Sequence, residues 1–507
     1  MVNTLRKTKL FFINGFILTS TALLMRGVGL IFNIYVANKV GSETIGIFSL
    51  IMSVYMFAIT IATSGIGIAC TCIVSEEFEK KNFITGLKAV RTCMFFALLL
   101  GIGSSIIILI TSPIISHLWL NDAVSSKPLY TIALGLPLIS ISSVIGGYFS
   151  AVGKPYKSSI SQVVETSAKI LATIFLLNIN LSKGVEAICV ALILADVISE
   201  VFSFTLNLVF YNLDKRRYLT KRSLPIQMKK KIFKIAFPIS ITSCIRSGLS
   251  SLKQFLIPLR LSLSGITYSM AVSNYGLIDG MVMPVLMFAN VFIASFSGLL
   301  VPEFSRLLAG KNYNRLKMVC NTIFKATSLF SICIASIFFI FSNELSLLIY
   351  QNIEAGKWIK ILSPLVFFIY IDSIIDSMLK GINEQVSVMF CNILDLIVTI
   401  SIIYFLVPSM GMVGYILSIF VSEILNFSIS SYQLKKKINY SFNFTNFIFK
   451  PILFCILAYF VTFIFDFEHI SLLMSLILHI LIFVIIYILL ISKIFKKSLH
   501  NFFVKFF

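Results

Sequence analysis

Residues 236–263, AFPISITSCIRSGLSSLKQFLIPLRLSL, decide the fold, because they are long and apolar enough to cross a bilayer and yet carry three cations. Arg246, Lys253 and Arg260 are seven residues apart, so on a helix they form a stripe of roughly 21 Å along one face. A cation that faced lipid would cost about 2.5–3.5 kcal/mol. We therefore expect the stripe to face protein or a water-filled cavity.

This cationic stripe has two interpretations. In the first, Arg246, Lys253 and Arg260 line a cavity for an anionic substrate. In the second, Lys253 pairs with a neighbouring carboxylate and Arg260 extends to the lipid headgroups, which leaves only Arg246 to be explained. Asp279, in the next apolar span, is the candidate counter-ion of Lys253. We favour the cavity.

The composition identifies the class of protein. Of the 507 residues, 58% are hydrophobic and 12% are charged, and apolar runs of about twenty residues recur along the chain. This pattern predicts an all-α polytopic membrane protein without a soluble domain. The sequence predicts about fourteen spans, near residues 12–37, 45–74, 92–112, 129–151, 159–178, 185–211, 236–263, 271–301, 319–341, 361–382, 387–407, 411–433, 446–465 and 471–492.

The distribution of lysine and arginine predicts the orientation in the membrane, because basic loops stay in the cytoplasm. One side collects the basic groups near residues 6–9, 80–91, 154–157, 215–234, 306–317, 435–437 and 493–497. Both termini are therefore predicted to be cytoplasmic, in the cell membrane. The excess of 42 basic over 21 acidic residues follows from this topology and from contact with anionic lipid, without a nucleic-acid partner.

The two halves of the chain align as copies of each other. The matched residues are Arg26 with Arg246, Glu77 with Glu303, Phe78 with Phe304, Glu165 with Asp395, and Asp196 with Glu423. Six helices per copy is an even number, so the copies are predicted to be related by a pseudo-two-fold axis along the membrane normal. The predicted domains are an N-lobe (1–211), a basic linker (212–235), a C-lobe (236–437) and two terminal helices (438–507). Substrate in such two-lobed transporters lies between the lobes, so Arg26 and Arg246 are expected to face each other across the cleft between the N-lobe and the C-lobe.

Carboxylates inside the predicted spans form a second constellation. Asp196 and Glu200, and likewise Asp372 and Asp376, are four residues apart and share a helix face. Two close acids in a low dielectric retain a proton or bind a cation, so these pairs are the candidates for coupling to Na⁺ or H⁺. The membrane potential is a further candidate driving force. The alternative is intrahelical ion pairing of Glu165 with Lys169 and of Asp376 with Lys380.

No covalent chemistry is predicted. The histidines (His117, His469, His479 and His500) are far apart and have no metal-ligand spacing, and the nine cysteines are scattered. The predicted outer loops have about eighteen residues at most, which leaves little room for the active site of a lipid-sugar transferase. The sequence therefore predicts a transporter rather than an enzyme, without a metal or an organic cofactor.

Residues 15–82 resemble the start of a known protein family. The residues Ala37–Gly46 (ANKVGSETIG), Ala62–Gly67 (ATSGIG) and the pair Glu77-Phe78 resemble the stage V sporulation protein B family. That family belongs to the polysaccharide-exporter branch of the multidrug/oligosaccharidyl-lipid/polysaccharide superfamily. The resemblance covers nearly the whole chain and implies fourteen helices in two lobes. It also implies flipping of an undecaprenyl-linked precursor of peptidoglycan, such as spore cortex, or of a polysaccharide.

The resemblance also implies roles for two residues. Lipid II flippases of this superfamily hold the pyrophosphate with arginines in a central cavity, and Arg26 and Arg246 occupy similar places here. Those flippases carry a further arginine in the second helix, which residues 50–55 lack.

The leading hypothesis is a flippase in which Arg26, Arg246, Lys253 and Arg260 bind the headgroup of a lipid-linked oligosaccharide. Arginine suits a phosphate because its planar fork donates two parallel hydrogen bonds. One alternative is an ion-coupled multidrug antiporter, which would prefer cationic drugs and therefore an acidic cavity. Another is a membrane scaffold for cell-wall assembly, with cell-wall synthesis proteins as its partners. Membrane lipids are partners in every case.

Overall fold

The computed structural model describes residues 2–63, 65–215, 228–310, 312–438, 445–465 and 471–506. Half of the predicted basic linker (216–227), Lys311 and His469 lie outside these ranges. The side chains of the basic groups near both termini and of His500 are likewise outside the description. The described residues are helical almost throughout and contain no strand, which confirms the predicted all-α class.

The helices vary in length from five to 62 residues. The α-helices are α1 (Val2–Thr63), α2 (Ile66–Glu79), α3 (Phe83–Leu118), α4 (Lys127–Ala151), α5 (Tyr156–Asn180), α6 (Val185–Lys215), α7 (Met228–Ser262), α8 (Tyr268–Tyr275), α9 (Met283–Met287), α10 (Asn290–Ala309), α11 (Tyr313–Ile340), α12 (Ser342–Tyr350), α13 (Ile353–Leu362), α14 (Leu365–Gly381), α15 (Gln385–Met410), α16 (Met412–Ile438), α17 (Lys450–Thr462) and α18 (Leu472–Phe506). Two π-helical segments, Gly276–Val282 and Thr445–Phe449, precede α9 and α17.

Several predicted spans are interrupted by bends. Gly41 (φ 80°) divides α1, and the predicted span 45–74 is split between α1 and α2 next to Gly65 (φ 72°). A Cβ on Gly65 would lie 2.3 Å from the carbonyl oxygen of Ala236 in α7, so the break lets two backbones touch. The predicted span 271–301 is split among α8, a π-helical segment, α9 and α10.

The predicted count of about fourteen spans is not confirmed. In the described part of the chain, eleven helices are long and apolar enough to cross a membrane. The number rises to twelve if α13 and α14, which meet at 53°, form one bent span. Hydropathy measures the length of an apolar run but does not show where the backbone bends within it, which explains the difference.

The chain forms two compact units, residues 1–276 and 277–507. The same helix pairs are in contact inside each unit: α2 with α4, α4 with α6 and α5 with α6 in the first, and α10 with α14, α14 with α16 and α15 with α16 in the second. This shared packing supports the internal repeat. The predicted lobe boundaries at 211 and 236 follow that repeat and stay a prediction, as does the axis relating the copies.

Each unit has an ion pair that ties an interhelical turn to the end of a long helix. In the first unit, Lys154 and Lys157 bind the buried Asp214 at 2.8 and 3.1 Å. In the second unit, Glu384 binds Lys437 of α16, and the Ser387 hydroxyl donates to Glu384 at 2.6 Å. These two ion pairs, called tethers below, occupy corresponding turns of the two units. Their charges are reversed, because the acid is on the helix in the first unit and on the turn in the second.

Glu384 makes the second tether sensitive to pH. The Lys437 ammonium, and then the Ser387 hydroxyl, hold the pKa of this carboxyl below its ordinary value. Because this pKa is lowered in the folded state, the ion pair stabilises the fold fully at pH values above the ordinary glutamate pKa of about 4.3. The stabilisation is lost as the pH falls through the pKa of the folded state. We expect Glu384→Gln to lower the melting temperature (Tm) at pH 7 by roughly 2 °C or less, and this gap to close at lower pH. A gap that stayed constant in Tm measurements from pH 7 to pH 3.5 would contradict the tether.

A close crossing between α1 and α8 gives a second prediction. A Cβ on Gly276 would lie 2.1 Å from the carbonyl oxygen of Ser42, and the Ser42 and Ser273 hydroxyls hydrogen-bond at 2.7 Å beside it. We expect Gly276→Ala to destabilise the purified protein by about 1–3 kcal/mol, because the backbones must separate. Gly103→Ala is the control, since open space surrounds Gly103. Equal Tm values for the two variants would show that the crossing tolerates a methyl group.

Candidate functional site

The cationic stripe lies on α7, and a different face of this helix packs against α1. The Ser251 hydroxyl donates a hydrogen bond to the carbonyl oxygen of Ser53 at 2.8 Å. The Thr60 hydroxyl donates a hydrogen bond to the Ser247 hydroxyl at 3.1 Å. Ser247 and Ser251 are four residues apart, so they define one packing face.

A second face of α7 is apolar and exposed. Ile241, Ile245 and Leu252 are 42%, 47% and 39% exposed. At 3.6 residues per turn they lie roughly 100° around the helix from Ser251. Exposed apolar side chains on a membrane helix suit contact with lipid.

The cations occupy a third face of the same helix. Lys253 and Arg260 lie roughly opposite Ser251, and Arg246 lies within about 40° of that direction. Arg246 is exposed, and Lys253 and Arg260 are partly exposed. The stripe is therefore about 100° away from the apolar exposed face. The expectation that it faces protein or a water-filled cavity stays a prediction.

Charge compensation of the stripe can be followed inside the first unit. Among its described residues, no carboxylate forms an ion pair with Arg26, Arg246 or Lys253. Arg26 is exposed and lies in the part of α1 that precedes Gly41. Asp279 belongs to the second unit, where it is half-buried in a π-helical segment, so its pairing with Lys253 stays a prediction.

A carboxylate cluster is buried in the first unit. Asp196 and Glu200 of α6 are 8% and 9% exposed. Lys169 of α5 forms its ion pair with Asp196, across to the neighbouring helix, and not with Glu165 in its own helix. Glu165 is an electrostatic neighbour of Glu200, so three acids share this region with one lysine. One oxygen of Asp196, Oδ2, is buried without a hydrogen-bond partner.

The second unit contains a corresponding cluster. Asp372 of α14 is 8% exposed, and its Oδ2 accepts a hydrogen bond from the Asn426 amide at 3.0 Å. Its Oδ1 is buried near the Ser430 hydroxyl, and neither atom makes a hydrogen bond of normal geometry. Asp376 pairs with Lys380 at 3.6 Å, which confirms that intrahelical alternative. The cluster also includes Asp395, which accepts a hydrogen bond from Ser422 at 2.7 Å, and Glu423.

The two clusters lie on helices that the sequence repeat matches. Glu165 and Asp196 are on α5 and α6, and their partners in the alignment, Asp395 and Glu423, are on α15 and α16. Asn426 was not identified from the sequence, and neither was the pairing of Lys169 with Asp196. Both are contacts between helices, which spacing along one helix does not reveal.

The family of the chain follows from a sequence comparison. Residues 12–308 match the family described as polysaccharide biosynthesis protein. The chain belongs to this family. A relative from Bacillus subtilis (strain 168), stage V sporulation protein B, is 24% identical over 422 residues, which cover 81% of this chain and 80% of that protein.

Solved structures show the fold of this member of the polysaccharide biosynthesis family. The lipid II flippase MurJ in an inward closed conformation matches with a TM-score of 0.67 at 16% identity, over 95% of this chain and 100% of that one. An inward-facing multidrug resistance MATE transporter of the MOP superfamily matches with a TM-score of 0.63 at 14% identity, over 82% and 94%. These matches confirm the predicted fold, that of an all-α multi-pass membrane protein.

The pair of the buried Asp196 with the partly exposed Lys169 generates a stability prediction. Removal of Lys169 would leave the Asp196 carboxylate buried without a cation, which costs about 1–3 kcal/mol for an unpaired buried group. We expect Lys169→Met to lower the Tm clearly and the added change Asp196→Asn to restore most of the loss. Lys380→Met is the matched control, since Lys380 pairs at 3.6 Å with the less buried Asp376 of its own helix, and such a pair should contribute less than about 1 kcal/mol. If the double variant is no more stable than Lys169→Met, an uncompensated charge is not the cause.

Proposed function

We propose that the chain is a flippase for an undecaprenyl-pyrophosphate-linked precursor of peptidoglycan or polysaccharide. It would work by alternating access across the cell membrane, with both termini in the cytoplasm. Membership of the polysaccharide biosynthesis family and the fold shared with MurJ support this class of transporter. The likeness to stage V sporulation protein B favours a spore-cortex precursor as the cargo.

One observation carries the proposal. The cations of α7 are on a face that neither packs on α1 nor coincides with the exposed apolar face, and Arg246 and Lys253 have no acidic partner in the described part of the first unit. A membrane helix retains cations at this cost where they face protein, water or a ligand with the opposite charge. A pyrophosphate has that charge.

The chemistry of the substrate fits this arrangement. A lipid-linked pyrophosphate sugar has a charged head that cannot cross hydrocarbon and a tail that need not leave it. Arg26 and Arg246 would bind phosphate oxygens through bidentate hydrogen bonds, and Lys253 would add a compact charge. Arg260, about 10 Å further along α7 than Lys253, would receive the headgroup at another stage of transport.

The buried carboxylates would couple transport to an ion. Asp196 with Glu200, and Asp372 with Asp376, are the candidate positions for Na⁺ or H⁺. The buried oxygens of Asp196 and Asp372 that make no hydrogen bond of normal geometry support this role, because a buried acceptor without a donor is unfavourable unless a proton or cation satisfies it. The membrane potential would act on the same charges.

The acid clusters also favour a second candidate, an ion-coupled multidrug antiporter. In that case Asp372 and its neighbours would bind cationic drugs, and the stripe of α7 would contribute nothing to binding. A scaffold without transport activity would depend on neither set of charges.

Binding of a lipid pyrophosphate to the purified protein tests the proposal. We expect Arg246→Ala to weaken binding by roughly 10- to 100-fold, the equivalent of about 1.5–3 kcal/mol for a hydrogen bond to a charged group. Arg306→Ala is the matched control, because Arg306 is an exposed arginine that pairs with Glu303 on its own helix. We expect this control to bind as tightly as the wild type.

The three candidate functions give different results in this experiment. The flippase requires tight binding by the wild type and a loss specific to Arg246→Ala. Weak binding by the wild type, together with binding of a lipophilic cation that Asp372→Asn abolishes, would favour the antiporter. Equal binding by both arginine variants would contradict the role of the stripe.

A further inference from the structure

A deep cavity lies in the second unit, and its lining includes none of the carboxylates of the acid cluster. Its volume is about 740 Å³, within the range of small-molecule sites. The walls come from α11, α13, the start of α14, the π-helical segment Thr445–Phe449 and α17. Representative lining residues are Ile332, Phe339, Phe368, Ile452, Tyr459 and Phe463.

One end of the cavity lies at the ends of three helices. Ile340 is the last residue of α11, Lys360 is near the end of α13, and Phe463 directly follows α17. The aromatic residues Tyr459, Phe460 and Phe463 are partly exposed there, as is common where a membrane meets water. From this end the lining follows α11 to Ile332, about 12 Å, a little under half of a 30 Å hydrocarbon core.

The bend between α13 and α14 is part of the cavity wall. These helices meet at 53°, and Ser363 and Pro364 at the bend both line the cavity. The Ser363 hydroxyl donates a hydrogen bond to the carbonyl oxygen of Lys360 at 2.9 Å, so it is already satisfied. Ser336 and Tyr459 add two further hydroxyls to the lining, and the Lys360 ammonium is the charged group among the described lining residues.

Lys360 gives the cavity its charge. Its Nζ lies 5.2 Å from the centre of the Phe339 ring, which places the ammonium over an aromatic wall at the open end. The described residues that line the cavity include no carboxylate, and Lys360 forms no ion pair with the described residues of this unit. An apolar slot of single-leaflet depth with one cation at its mouth matches one acyl chain attached to an anionic headgroup.

We propose that this cavity binds an anionic glycerophospholipid, with one acyl chain inside and the phosphate at Lys360. An acyl chain gains little hydrophobic free energy when it moves from bulk lipid to an apolar cavity, because both surroundings are apolar. The attraction between ammonium and headgroup therefore decides which lipid binds. The proposal concerns a resident lipid and does not depend on the transported substrate.

Native mass spectrometry of the purified protein tests this site with phosphatidylglycerol and phosphatidylcholine that carry identical acyl chains. We expect the wild type to retain phosphatidylglycerol several-fold better than phosphatidylcholine, and Lys360→Ala to remove that preference. Lys357→Ala is the matched control, because Lys357 is an exposed lysine on the same helix that does not line the cavity. It should behave as the wild type.

Ala335→Phe provides an independent variant, since Ala335 lines the cavity and a larger side chain would fill it. We expect it to lower retention of both phospholipids, and Tm measurements identify a variant that fails to fold. Equal lipid preference in Lys360→Ala and Lys357→Ala would overturn the proposal, whatever lipid retention is measured for Ala335→Phe. A clear preference for an isoprenoid phosphate over phosphatidylglycerol would also overturn it and assign the cavity to a substrate tail.

Discussion

The high cost of placing a charge in hydrocarbon constrains this structure more than any other interaction. A membrane helix tolerates a cation only when that cation faces protein, water or a ligand. Helix α7 satisfies this condition by dividing its surface into three faces: Ser247 and Ser251 pack on α1, Ile241 and its neighbours are exposed and apolar, and the cations occupy the rest. The helix therefore contributes to the bundle, to the lipid boundary and to the candidate site at the same time.

The acidic residues obey the same constraint in another way. Asp196 and Asp372 are buried inside their units, where Lys169 or Asn426 satisfies one carboxylate oxygen of each and the other oxygen makes no hydrogen bond of normal geometry. Within the first unit, the cations of α7 occupy an exposed face, whereas Asp196 and Glu200 are buried. In the proposed flippase, an anionic headgroup on that face and a coupling cation at the buried acids would not need to displace each other.

Bends in the helices adapt the repeat to these sites. Gly65 allows α1 and α2 to approach the backbone of α7, and the Ser363-Pro364 bend contributes to the wall of the apolar cavity. The polarity of the ion-pair tethers is reversed between the units, with Asp214 on a helix in one and Glu384 on a turn in the other. A tether needs opposite charges but no particular order, so the two copies were free to diverge there.

The sequence alone determined the all-α membrane class and the family, because apolar runs and local motifs are properties of neighbouring residues. It also determined that Arg246, Lys253 and Arg260 share one face, which follows from their spacing of seven. Only the tertiary structure decided that Lys169 pairs with Asp196 instead of Glu165, that Asn426 contacts Asp372, and that apparent single spans are broken near Gly65 and within 271–301. These outcomes depend on which helices become neighbours and on how closely their backbones approach, and no periodicity within one helix records that.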